Sequence, residues 1–141
     1  MFVSLIAMPK EDYLLKYLEK LSRVIAAMIG FRDNGFPEDV MRLADETYFE
    51  LFGFNLKELE IMPVNRFIEL IKKYNYSASY LNGLAQLAYE AAKANATVNK
   101  STEFHKKVLA LYLLLNEKDK TFSIERESII SELKQIIIND L

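Results

Sequence analysis

Apolar residues at Leu14, Leu18, Leu21, Ile25 and Met28 recur at the spacing of one face of an α-helix, and Tyr13, Tyr17, Val24 and Ile29 widen that face. Lys16, Glu19, Lys20 and Arg23 fall on the other side. Pro9 suits the first turn, where a missing N–H costs nothing, and Asp33-Asn34-Gly35 is where the helix should close. Pro37 then opens a second pattern, with Glu38 and Asp39 in its first turn and Val40, Leu43, Ala44, Thr47 and Leu51 as the inward stripe, ending at Gly53. A loop this short forces the two helices into an antiparallel hairpin.

Beyond Phe54-Asn55 the periodicity breaks into pieces. A short helical segment over Leu56 to Ile61 is cut by Pro63, and Val64, Phe67, Ile68, Leu70 and Ile71 begin another. After Asn75-Tyr76-Ser77, with Ser77 or Ser79 as cap, a longer pattern runs through Tyr80, Leu81, Leu84, Leu87, Ala88 and Ala91. Gly83 reads as a glycine inside this helix, and the alanines at 85, 88, 91, 92, 94 and 96 mark a face that a neighbouring helix approaches closely. A loop at Thr97 to Lys100 leads to a cap at Ser101 or Thr102. The run VLALYLLL, Val108 to Leu115, is apolar almost all round, which predicts a central helix covered by neighbours or by a second subunit. Lys118 to Phe122 forms the last loop, Ser123 caps the final helix, and Ile129, Ile130, Leu133, Ile136 and Ile137 make its stripe.

No segment alternates with the period of a strand. The fold class is therefore all-α: antiparallel hairpins arranged as an α-α superhelix or as a compact bundle of about five to six helices. One domain over residues 1–141 is expected, with an apolar extension (1–8), a first hairpin (9–53), connector helices (54–76) and C-terminal helices (77–141).

Charge changes the picture locally. The 18 basic and 20 acidic residues nearly cancel, so no overall field favours nucleic acid or an anionic membrane. Residues 36–60, however, hold Arg42 and Lys57 against Glu38, Asp39, Asp45, Glu46, Glu50, Glu58 and Glu60, a net charge of −5 and either a solvated helix face or a cation-binding or partner-docking face. With no cysteine, disulfides and thiolate chemistry are excluded, and a reducing cytoplasm fits. No apolar run reaches the ~20 residues that span a bilayer, and MFVSLIAMP lacks the basic start of a signal peptide.

Candidate chemistry is sparse. His105 is the only histidine, has no nucleophile-acid pair in the sequence pattern, and is expected to be exposed or partly buried. Asp39, Glu46 and Glu50 follow helical spacing, but without a Glu-x-x-His pair no metal site is assigned. Gly-rich phosphate loops and nucleophile elbows are missing, so neither cofactor nor catalytic residue is expected. Tyr13, Tyr17, Tyr48, Tyr80, Tyr89 and Tyr112 lie on or beside apolar stripes, where rings pack and hydroxyls are expected to stay near solvent.

The first hairpin carries partial tetratricopeptide spacing in Val24, Ala27, Met28 and Phe31, then Val40, Ala44 and Thr47. A regular repeat has smaller residues at the Met28 and Val40 positions. Leu87, Ala88 and Ala91 followed by Phe104, Val108 and Leu111 form a looser second hairpin, with a connection about four residues longer than the regular period. Asp12 to Leu59 resembles the opening of an uncharacterised bacterial family of small tetratricopeptide-like helical proteins, and the alanine-rich hairpin is similar to that family's second half. The resemblance implies a helical fold and no catalytic residue.

The functional expectation is a cytoplasmic, non-enzymatic module that binds another protein or a second copy of itself, with no nucleic-acid or membrane partner. Arg32, Arg42, Asp45, Glu46 and Tyr48 are its candidate interaction surface. The alternative is a helical bundle, enzymatic or not, that binds a small molecule or metal at a site lined by Tyr48, Glu46 and Asp45.

Overall fold

Gly35, in the left-handed region at φ +80°, reverses the chain between the first two helices. Its N–H donates to the Arg32 carbonyl (3.1 Å) and that of Phe36 to the Phe31 carbonyl (2.8 Å), while the Asn34 amide reaches the Gly30 carbonyl (2.8 Å). The first two bonds satisfy carbonyls that a helix end leaves without intrahelical donors, and the third adds a second donor to the Gly30 carbonyl, which also accepts from Asn34 N–H (3.1 Å). Pro37 then starts the next helix in its first position.

The computed structural model describes residues 10–98 and 102–140, with side chains at 15–96 and 102–140. The 1–8 extension, Pro9, the side chains of Tyr13 and Leu14, and the Ser101 cap lie outside these. The described residues form seven helices: α1 (Lys10–Asp33), α2 (Pro37–Phe52), α3 (Leu56–Ile61), α4 (Val64–Tyr74), α5 (Ala78–Val98), α6 (Glu103–Lys118) and α7 (Ile124–Asn139). The all-α class stands, with seven helices where five to six were expected. The connector holds two true helices, and α3 has its own start: the Asn55 side chain accepts from Glu58 N–H (2.9 Å) while Glu58 Oε1 accepts from Asn55 N–H (3.4 Å).

α5 is the hub of one half, lying against α1, α2 and α6. Ala85, Ala88, Ala91, Ala92 and Ala94 are buried as the close-approach reading requires, whereas Ala96 is exposed. α6 is the hub of the other half, contacting α3, α4, α5 and α7. Those neighbours account for its nearly continuous apolar surface: Val108, Ala110, Leu111, Tyr112, Leu114 and Leu115 are all buried, and only one side of the helix is left to Leu113. Burial of a leucine-sized side chain contributes about 1.5–3 kcal/mol, so this helix anchors the core.

Two predicted details shift. α5 continues through Val98, placing 97 and 98 in the helix rather than in a loop. Thr102 occupies the N-cap position of α6 without bonding the helix; its hydroxyl donates to Asp140 Oδ2 (2.8 Å), tying the start of α6 to the end of α7. Ser77 and Ser123 do cap, accepting from Tyr80 N–H (3.2 Å) and Arg126 N–H (3.1 Å). No helix among the described residues is long and apolar enough to cross a membrane.

Candidate functional site

One turn after another, α2 presents Glu38, Met41, Arg42 and Asp45 to the same side, the spacing of a single helix face. Across from it, Leu56, Lys57 and Glu60 face in from α3, and Ala91 and Asn95 from α5; Phe104 of α6 closes the end. Together they enclose an open cleft of about 560 Å³. Met41, Leu56, Ala91 and Phe104 give it an apolar lining, and the charges are Arg42 and Lys57 against Glu38, Asp45 and Glu60. An apolar floor within a polar rim is the anatomy of a protein-recognition patch.

The five candidate surface residues divide among different environments. Arg42 and Asp45 line the cleft. Glu46 lies beside it, pairing with Arg42 at 3.6 Å, while Asp39 takes the same guanidinium at 3.2 Å. Arg32 belongs elsewhere: it pairs with Glu90 of α5, whose side chain is only 9% exposed, and so joins α1 to α5. Tyr48 is no surface residue. It is 1% exposed, its hydroxyl donates to the Leu84 carbonyl at 3.4 Å, and burial raises its pKa. The proposed small-molecule wall of Tyr48, Glu46 and Asp45 is therefore not assembled, because the phenol faces the core between α2 and α5.

Asp45 has a structural task as well. Its Oδ1 accepts from Leu56 N–H at 2.8 Å, so it holds the first residue of α3 against α2. At the other end of α3, Lys107 is buried and its ammonium donates to the Glu60 carbonyl. A cation at a helix C-terminus offsets the negative end of the dipole, while burial lowers the Lys107 pKa. Both ends of α3, which supplies one side of the cleft, thus depend on side-chain bonds from other helices.

His105 departs from its expectation, being 5% exposed rather than exposed or partly buried. Among the described residues no group of three His, Cys, Asp or Glu side chains is placed to hold a metal. The tyrosines gather mainly by packing. Tyr48, Phe52 and Phe54 stack in sequence (5.6 and 5.3 Å between centroids), and Tyr76 stacks on Tyr74 and Tyr80 (5.5 and 4.5 Å). Phe52 touches Tyr76 at 6.4 Å, making one aromatic cluster where α2 and α4 end and α5 begins.

The sequence reading missed Met41, Leu56 and Phe104 as parts of a site. Met41 with Asp45 at helical spacing was the available signal; the partners from α3, α5 and α6 come together only through the tertiary fold. No protein-family model, curated protein or solved structure matches this chain.

Proposed function

We propose that this chain is a non-enzymatic helical interaction module that receives a segment of another protein in the cleft between α2, α3 and α5. The observation that carries this reading is the cleft itself: apolar side chains from four helices beneath a rim of both charge signs. Such a site buries an apolar side chain of the partner and fixes its register with rim charges. The tetratricopeptide-like reading is supported by α5, which lies against both helices of the first hairpin as a stacked repeat does. A reducing, cytoplasmic setting is consistent with a chain free of cysteine.

Self-association is the weaker form of the proposal. Its supports are the apolar surface of α6, most of which is covered by helices of the same chain with Leu113 left exposed, and the apolar 1–8 segment, which lies outside the described residues.

A photo-crosslinking residue placed at Lys57, on the rim, should trap a discrete partner in cells, and Met41→Asp should abolish the adduct. The same residue at Gln135 on α7 serves as the control. Equal labelling from both positions, or an adduct indifferent to Met41→Asp, would sink the cleft as the docking site.

A further inference from the structure

A second concavity, of about 330 Å³, lies where the start of α5, the end of α6 and the start of α7 meet. Its character is opposite to that of the cleft. Ser79 and Asn82 of α5, Tyr112 of α6, and Asp119, Glu125 and Arg126 around the α6–α7 connection bring polar groups to one place. The size is at the lower end of the ~300–1,000 Å³ typical of small-molecule sites.

The site is held rigidly. The Arg126 side chain is 10% exposed, and its guanidinium donates to the Thr121 carbonyl (2.8 Å), to Asp119 Oδ2 (3.3 Å) and to the Asp119 carbonyl (3.5 Å). Asp119 Oδ1 in turn accepts from Thr121 N–H (3.0 Å), closing the loop around the arginine. Tyr112 is 1% exposed, with its ring edge-on to Tyr89 at 6.4 Å. Yet the Tyr112 hydroxyl and Arg126 Nε are both buried without a hydrogen-bond partner among the described residues. Leaving such a group unpaired is costly, and native folds keep few. Two of them on residues that line one polar concavity point to a partner that enters it.

We propose that this site binds a small, uncharged, polyhydroxylated molecule of about monosaccharide size. Charge selects that class. Asp119 already neutralises Arg126 and Glu125 adds a further carboxylate, so an anion gains no net attraction. A simple amine leaves Arg126 Nε–H without an acceptor. A hydroxyl does both jobs, accepting from Nε–H and donating to a carboxylate, and several on one ring match the mixed donors and acceptors of Ser79, Asn82 and Tyr112. Leu115 and Ile129 supply apolar surface for the carbon skeleton.

The test is NMR of the ¹⁵N-labelled full chain, following the Arg126 Nε–H resonance, assigned by its loss in Arg126→Lys. Separate titrations use myo-inositol, D-glucose, inorganic phosphate and putrescine. At least one of the two polyols should shift the resonance saturably, with phosphate and putrescine inert. Tyr112→Phe should weaken that binding about tenfold, the worth of one hydrogen bond, without lowering the urea midpoint of the ligand-free chain at neutral pH. The proposal is overturned if neither polyol moves the resonance, if phosphate or putrescine does so, or if Tyr112→Phe binds as tightly as the parent. The cleft reading is untouched by any of these results.

Discussion

Leu21 Cδ1 lies 2.9 Å from where a Cβ on Gly83 would stand, so α1 and α5 approach each other through a glycine with no spare space. Leu21 is 2% exposed, and its Cβ and Cγ would sit at 3.7 and 3.9 Å, ordinary contacts. The conflict is confined to one methyl group at the end of a side chain, but that side chain is locked in the core.

Gly83→Ala therefore sets two comparable terms against each other. Alanine favours the helix by about 1 kcal/mol, and overpacking costs about 1–3 kcal/mol. The expected outcome is a net loss of about 1 kcal/mol in the parent. In a Leu21→Ala background the same substitution should stabilise by about 1 kcal/mol, because the obstructing methyl is gone. A urea double-mutant cycle with no coupling between the two positions would contradict the close approach.

The ion pair between Arg32 and Glu90 should matter more than the surface pairs of α2. Removing one member of a buried pair costs roughly 3–5 kcal/mol because a carboxylate is left uncompensated. Arg32 is itself 34% exposed and Lys93 stays within 3.5 Å of Glu90, so Arg32→Met should cost less, about 2 kcal/mol. Adding Glu90→Gln should return most of it. Arg42→Met, by contrast, breaks only exposed pairs and should stay within about 0.5 kcal/mol. Equal urea midpoints for Arg32→Met and Arg42→Met would refute the distinction.

Asp45 sits at both a candidate site and a structural bond, and the two roles separate experimentally. Asp45→Ala removes the acceptor of Leu56 N–H and should cost about 1 kcal/mol, as the loss of a helix cap does. The effect should be local: hydrogen exchange should quicken across α3 while α5 and α6 keep their protection. Asp45→Asn retains the acceptor and most of the protection. Unchanged exchange in α3 would mean that the bond does not hold the helix.

Helix boundaries were legible wherever a local stop was written into the chain: Gly35 and Pro37, Gly53, Pro63 and Ser123 all fall at element ends. The capping box of Asn55 and Glu58 was equally local, and it starts the short helical segment that the spacing already placed over Leu56 to Ile61. The inward position of Tyr48 was also visible, since Ala44, Tyr48 and Leu51 share one face of α2. What was not legible is pairing at a distance. Arg32 and Glu90 are 58 positions apart, and the cleft joins residues from four helices, so both depend on interhelical packing that spacing within a helix does not encode.

Alkaline pH should unfold this protein through its buried phenols. Burial above all raises the pKa values of Tyr48, Tyr76 and Tyr112 well above the ordinary value of 10.0. Above that pH, tyrosines of the unfolded chain have released protons that the folded chain still holds, so fewer protons are bound in the unfolded state and stability falls as pH rises. The contribution is fully present below pH 10 and is lost through the interval between the unfolded and folded values. Each fully buried phenol adds a slope of up to about 1.4 kcal/mol per pH unit there, and partial exposure reduces it. Tyr48→Phe and Tyr112→Phe should each flatten the decline above pH 10. They should differ at neutral pH, where Tyr48→Phe loses its bond to Leu84 and costs about 1 kcal/mol, whereas Tyr112→Phe loses no bond. Comparing each variant with the parent cancels Lys107, whose lowered pKa acts in the opposite direction, raising stability as pH climbs toward 10.5. Urea midpoints that decline in parallel for the parent and both variants would show that these phenols ionise as easily in the folded chain as in the unfolded one.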